Sequence, residues 1–174
     1  NLYKKIKRIR FYGIETVEKS KFKNKYYSNE NGVNSRLDEI QSSILNFKMK
    51  KIDFFINRRQ LIAKKYIKNL SHTDLKLPIQ NKNCKHVYHL FTIYHPKEEL
   101  IKKKLWKNNI HTRSIYPFPI HKMKAYSKII KNKKNLQNSE KLSKGIFSLP
   151  LYPELKDKDI NKICTSLIKI IKKI

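Results

Sequence analysis

At 174 residues with 39% apolar content the chain suits one domain with a real core; it is too apolar for a disordered chain, and no run of roughly 18 apolar residues exists to cross a membrane as a helix. The net charge of +28 invites a nucleic-acid reading, yet 35 of the 41 basic residues are Lys and only 6 are Arg, spread end to end, and Lys, Ile and Asn make 75 of the 174 residues as an AT-rich coding sequence would favour. Cys84 and Cys164 follow no paired spacing, so they read as reduced thiols of a cytoplasmic protein and not as a disulfide framework.

The N-terminus, NLYKKIKRIR, has neither a signal-peptide core nor an initiator Met, so the chain is expected to begin inside a longer protein. Residues 1–12 carry Leu2, Ile6 and Ile9 at helical spacing among lysines and predict a short basic amphipathic helix. Residues 13–34 lack periodicity and read as loop or irregular ribbon. From Ser35 a helix is predicted, with Ser35 and Asp38 at capping-box spacing and Asp38 and Glu39 suiting the positive end of its dipole. Leu37, Ile40, Ile44 and Phe47 keep its period, which runs on through Ile52, Phe55, Ile62 and Tyr66 to Leu70. That is long for one helix, so a bend or break is expected near Met49–Lys51.

Three strands are predicted next: DLKLPI (74–79), HVYHLFTIYH (86–95) and IHTRSIY (110–116). Between the last two, Pro96 opens a helix over 97–108 with Leu100, Ile101, Leu105 and Trp106 on one side. PFPIHKMKAYSK reads as a proline-stiffened loop, 139–147 as a short helix, SLPLYP as an extended link and 157–173 as a last helix. That helix has its face on Ile160, Ile163, Cys164, Leu167, Ile171 and Ile174; a docked terminal helix is the commoner use of such a face than a membrane surface. The order predicts an α/β or α+β arrangement, a small mixed sheet covered by helices.

Catalytic signatures are scarce. There is no Gly-rich phosphate loop, no nucleophile elbow and no CxxC pair. Cys84, His86, His89 and His95 are crowded, but on an extended strand His86 and His89 project to opposite faces and cannot share one ion, so no metal is expected and His89 is read as packed in the sheet. YPFPIH offers the Tyr116 phenol and the His121 imidazole on a loop whose two prolines hold its shape; a rigid surface turn with a buried Tyr fits as well. GVNSRLDEIQSSIL gathers Asn34 and Arg36 at a helix start, an anion-friendly corner, though capping plus a surface ion pair of Arg36 also accounts for it.

Taken together, GVNSRLDEIQSSIL, HVYHLFTIYHP, YPFPIHKMKAY and LSKGIFSLPLYPEL, in this order, resemble the C-terminal half of the DegT-type pyridoxal-phosphate-dependent sugar-nucleotide aminotransferases. RIRFYGIE and KYYS resemble members acting on nucleotide-linked keto-deoxy sugars. The resemblance implies an aspartate-aminotransferase-like fold (fold type I). Residues 1–34 would be the tail of the large domain and an interface loop, and 35–174 the small C-terminal domain, a long helix beside a small mixed or antiparallel sheet. It implies a homodimer in which Asn34 reaches the cofactor phosphate of the other subunit. Lys25, Tyr26, Tyr27 and Arg36 would border the nucleotide-sugar pocket, and Tyr116 and His121 would close near the sugar. Members often carry His before the Tyr of the YP element, where this chain has Ile115. They also tether the cofactor to a Lys upstream of the RxYG element, and no lysine here has a matching context. The expected activity is amino transfer, from glutamate, to a nucleotide-linked keto sugar by the complete protein, with this piece inactive alone. Two alternatives stand beside it: a non-catalytic regulatory or scaffolding relative, and a basic nucleic-acid-binding module using YKKIKRIRFYG and KFKNKYY.

Overall fold

A computed structural model describes residues 1–14, 28, 30–35, 37–126 and 136–174. The chain divides into two compact units, Asn1–Lys51 and Ile52–Ile174.

In the first unit, the predicted N-terminal helix forms as α1 (Leu2–Ile9). It ends in a turn where Tyr12 and Gly13 both take left-handed backbone, at φ 57° and 72°. A Cβ on Gly13 would lie 1.8 Å from the Glu30 carbonyl oxygen, and one on Gly32 would lie 2.1 Å from the Gly13 nitrogen. Two bare backbones therefore cross in contact, which no other residue type permits. The crossing brings residues 30–35 against the end of α1. The Val33 amide donates to the Ile9 carbonyl at 2.8 Å and the Ser35 amide to the Arg10 carbonyl at 3.0 Å. Arg8 Nε meets Glu30 Oε1 at 2.9 Å.

The second helix, α2, spans Glu39–Met49 and starts later than the capping-box reading has it. Asp38 is its N-cap: one carboxylate oxygen accepts from the amides of Ile40 at 2.8 Å and Gln41 at 3.3 Å. Ser35 cannot be the cap, because its amide is held by Arg10 O and its carbonyl accepts from Arg10 Nε at 3.1 Å. No residue of α1 or α2 is buried. Ile40 and Phe47 on the apolar stripe of α2 are 73% and 62% exposed.

The periodic run breaks where expected, and α3 (Ile52–Leu70) opens the second unit. Its inner face, Ile62, Ala63, Tyr66 and Leu70, is buried. Its polar side chains hold loop backbone. Arg59 Nη1 donates to the carbonyls of Tyr88, His89 and Leu151 at 3.1–3.3 Å, Arg58 to those of Pro153 and Leu155, and Gln60 to that of His86. Tyr66 donates its hydroxyl to the Pro150 carbonyl at 2.8 Å.

These bonds explain why the predicted strand at 86–95 shrinks to β1, Phe91–Tyr94. Tyr88 turns to φ 49°, its amide goes to His86 Nδ1 at 2.9 Å, and α3 takes the carbonyls a ladder would have used. His89 is consequently exposed and not packed in the sheet. The partner of β1 is β2, Ile146–Leu149, antiparallel with Phe91 opposite Leu149 and Ile93 opposite Phe147. Ile146 and Phe147, expected at the end of a short helix over 139–147, belong instead to this strand. The expected strands at 74–79 and 110–116 each reduce to a one-residue bridge, Lys76 to Tyr94 and Arg113 to Ser148.

The remaining helices are α4 (Glu98–Lys107), α5 (Gln137–Ser143) and α6 (Asp157–Ile171). α6 packs on α3 and α4. Ile160, Ile163, Cys164, Leu167 and Ile170 close the core over Phe91, Ile93, Phe147, Ile101 and Leu105. Full burial of each such side chain contributes roughly 1.5–3 kcal/mol. On α4 the buried residues are Glu98, Ile101 and Leu105; of the four apolar residues expected on one side, Leu100 is 42% and Trp106 63% exposed, the latter edge-on to His111. Among the described residues no helix is long and apolar enough to cross a membrane.

Candidate functional site

In the first unit the polar helix start presents Asn34 on a braced loop. Asn34 bridges to Phe11 through its backbone, and its neighbours on both sides bond to the end of α1. Its carboxamide is exposed. Among the described residues the carboxamide has no hydrogen-bond partner, so it is an available donor on backbone that cannot easily shift. Lys25, Tyr26, Tyr27 and Arg36 lie outside the described residues.

In the second unit residues 113–126 carry the YPFPIH element. The two prolines and two successive 3-10 turns, Ile120–Lys122 and Lys124–Tyr126, shape it. Tyr116 is 75% exposed, so the buried-Tyr alternative is wrong. His121 turns the other way: its Nε2 lies 3.0 Å from Glu140 Oε1 on α5. Lys122 Nζ reaches the same oxygen at 3.1 Å. These two bonds hold the Glu140 carboxyl below its ordinary value, His121 contributing more.

Tyr116 lines an open cleft of about 1160 Å³ between the start of α4 and the 113–118 segment. Beneath it Glu98, 7% exposed, is neutralised by Lys102 Nζ at 2.6 Å and accepts the Ser114 hydroxyl at 2.5 Å. A buried carboxylate so paired is compensated, and it pins the 113–116 segment to α4. Lys103, Arg113 and Lys144 also line the cleft. Arg113 lies in the segment expected as a strand, which marks it as a sheet residue and not as a ligand contact. The available signal was that it is one of only six arginines in a lysine-biased chain. A second, more apolar recess of about 410 Å³ shares Tyr116, Phe118 and Ser143 with the cleft.

The crowded Cys84 and His residues do not converge. Cys84 and His89 are exposed, while buried His95 accepts the Lys97 amide on Nδ1 and meets Asp74 through Nε2, both at 3.0 Å.

Residues 1–168 match the DegT/DnrJ/EryC1/StrS aminotransferase family. The chain belongs to that family. It is 32% identical over 155 residues to a dTDP-3-amino-3,4,6-trideoxy-alpha-D-glucose transaminase of Micromonospora megalomicea subsp. nigra, covering 86% of this chain and 40% of that protein. A crystal structure of DesV of S. venezuelae in complex with a ketimine intermediate superposes with a TM-score of 0.88 at 25% identity, over 99% of this chain and 45% of that one. The structure of ntda from Bacillus subtilis with bound cofactor pmp gives 0.79 at 25% identity, over 95% and 38%. This member of the family thus spans about 40% of the length of the curated relative it matches.

The α/β fold expected from the resemblance is the one found: helices around a small antiparallel sheet, shared with pyridoxal-phosphate aminotransferases of the DegT family. Pyridoxal phosphate is the cofactor of that family, and the residues here can be tested against it. An exposed carboxamide on a rigid loop fits a donor to a phosphate oxygen. A covalent tether is a lysine in a desolvated pocket, and none of the described lysines is buried. The described residues of this family member fit a supporting place at the cofactor and not its anchor.

Proposed function

We propose that the complete protein transfers an amino group, from glutamate, to a nucleotide-linked keto-deoxy sugar, and that this chain is its C-terminal portion. The observation that carries the reading is the family match over 1–168, joined to likeness across 99% of the chain to an aminotransferase structure. Bound pyridoxal phosphate supplies the electron sink for the amino transfer. The chain's residues surround that chemistry. Asn34 donates its carboxamide N–H to the cofactor phosphate of a second subunit, and Lys25, Tyr26, Tyr27 and Arg36 border that subunit's sugar-nucleotide pocket. The Tyr116 phenol hydrogen-bonds a sugar hydroxyl, and His121, held on Glu140, keeps the YPFPIH loop in the shape that sets this phenol in place.

In this reading residues 1–34 are the tail of a large domain and an interface loop, and 35–174 form the small domain. The protein is a cytoplasmic homodimer. The exposed Asn34 and the uncovered stripe of Ile40, Ile44 and Phe47 support a surface that a second copy covers. The chain alone is inactive, because it lacks the anchoring lysine.

The test uses the complete protein with pyridoxal phosphate, glutamate and dTDP- or UDP-linked keto-deoxy sugars, with the amino sugar read by mass spectrometry. Turnover is expected. Asn34→Ala should weaken cofactor retention by roughly tenfold, the value of one charge-assisted bond, without unfolding the protein. Failure to aminate any such sugar refutes the activity. The inactivity of the piece is checked by adding pyridoxal phosphate to the 174-residue chain and reducing with borohydride: stoichiometric labelling of one lysine would refute it.

A further inference from the structure

The arginines of this chain are informative because its composition is against them: 6 Arg beside 35 Lys. Where base composition pushes toward Lys, an Arg that remains marks a place needing the planar fork. Four of the five described arginines show such a use inside the fold. Arg8 pairs with Glu30, Arg10 holds the Ser35 carbonyl, Arg58 holds Pro153 and Leu155, and Arg59 holds three carbonyls. Arg113 is the exception. Its backbone is fixed, with the carbonyl accepting the Ser148 amide at 2.8 Å and the next residue locked to Glu98, yet among the described residues its guanidinium has no partner. It is exposed and lines the cleft.

We infer that Arg113 is the fork of a diphosphate-binding subsite, and that the cleft holds the phosphates of a nucleoside diphosphate while the ring system lies on Tyr116 and Phe118. Three observations support this. First, the charge of the lining is complementary. Lys97, Lys102, Lys103, Arg113 and Lys144 stand against Glu98 and Glu99, five cations to two carboxylates; the Lys102–Glu98 pair cancels, while the Lys97 bond to the Ile174 carbonyl leaves its charge in place, so the cleft is net positive and suits an anionic diphosphate. Second, the anion site is built on rigid backbone, through the Glu98–Lys102–Ser114 cluster, so little freedom is lost on binding. Third, the cleft runs into the apolar recess over Tyr116 and Phe118, both more than two-thirds exposed, which gives a planar base or a deoxysugar a stacking surface next to its charge. The nucleotide identity of the ligand rests on the activity proposed above; the anion subsite rests on the geometry alone.

The test is an NMR amide titration of the 174-residue chain at physiological salt, with thymidine 5′-diphosphate, uridine 5′-diphosphate, inorganic pyrophosphate and thymidine as separate probes. The nucleoside diphosphates should shift amides of 97–103, 113–118 and 143–144, and pyrophosphate and thymidine should bind more weakly at the same place. Arg113→Gln should weaken diphosphate binding by roughly tenfold or more, and Arg113→Lys should fall between, since a point charge replaces a bidentate donor. Lys162→Gln on α6, outside the cleft, should change nothing. No shift at millimolar probe, a wild-type affinity in Arg113→Gln, or tighter binding of single-stranded RNA weakened equally by Lys162→Gln would each overturn the inference. The complete protein separates this from the proposed activity. Amination with an unchanged KM in Arg113→Gln sinks the subsite and leaves the activity standing. Diphosphate binding at Arg113 without amination does the reverse.

Discussion

His121 Nε2 and Glu140 Oε1 stand 3.0 Å apart, joining the Ile120–Lys122 turn to α5, and Lys122 converges on the same oxygen. The Glu140 carboxyl is held below its ordinary 4.5, first by His121 and then by Lys122. A depressed carboxylate stabilises the fold above its unfolded value, and that stabilisation is lost as pH falls through the lower, folded value. Carbon-detected NMR titration should place Glu140 below 4.5, and His121→Gln should move it back up. A midpoint at or above 4.5 in the wild-type chain would show that the contact does not persist in solution.

Arg59→Lys should destabilise the second unit by about 1.5–3 kcal/mol, because one ammonium cannot hold the carbonyls of Tyr88, His89 and Leu151 together. Urea unfolding checks this, with Lys162→Gln as a surface control expected within about 0.5 kcal/mol of wild type.

Tyr66→Phe should cost about 1–2 kcal/mol, since the Pro150 carbonyl loses its donor in a buried place. Burial, reinforced by Cys164 and Tyr152, drives the Tyr66 hydroxyl well above the ordinary tyrosine range. An ultraviolet alkaline titration, compared between wild type and Tyr66→Phe, should therefore show Tyr66 unionised until the fold is lost.

Gly13→Ala should open the first unit locally. The alanine would sit in left-handed backbone, costing about 1–2 kcal/mol before any clash with the Glu30 carbonyl is counted. Hydrogen exchange should accelerate at the amides of Val33 and Ser35, which cross to α1, and stay unchanged in α6.

A thiol reagent should label Cys84 at once and Cys164 only on unfolding. Cys164 is buried, burial raises its thiol, and the Asn69 amide opposes that only in part. Two fast thiols in the native chain would contradict the packing of α6 on α3.

Much of the fold was legible because it rests on one-faced periodicity. α6 declares itself through Ile160, Ile163, Cys164 and Leu167, and the break before Ile52 shows as a run too long for one helix. What local pattern cannot carry is pairing. β2 has four residues beside the helical QNSEKLS, and only β1 across the sheet makes it a strand. The reading at Ser35 failed for a related reason: the hydroxyl and spacing were right for a cap, but Arg10, 25 residues away, had already taken the backbone. On the site, Tyr116 and Asn34 were legible as polar groups on stiff segments. Arg113 was not, since its lack of a partner is a property of everything around it.

The stripe of Ile40, Ile44 and Phe47 on α2 also has a cellular side. Such a surface is what chaperones seize and what drives freshly made chains to clump. In the proposed homodimer the second copy is the shield, and the amount of usable protein in a cell should then track how fast that copy is found more closely than how firmly the second unit is folded.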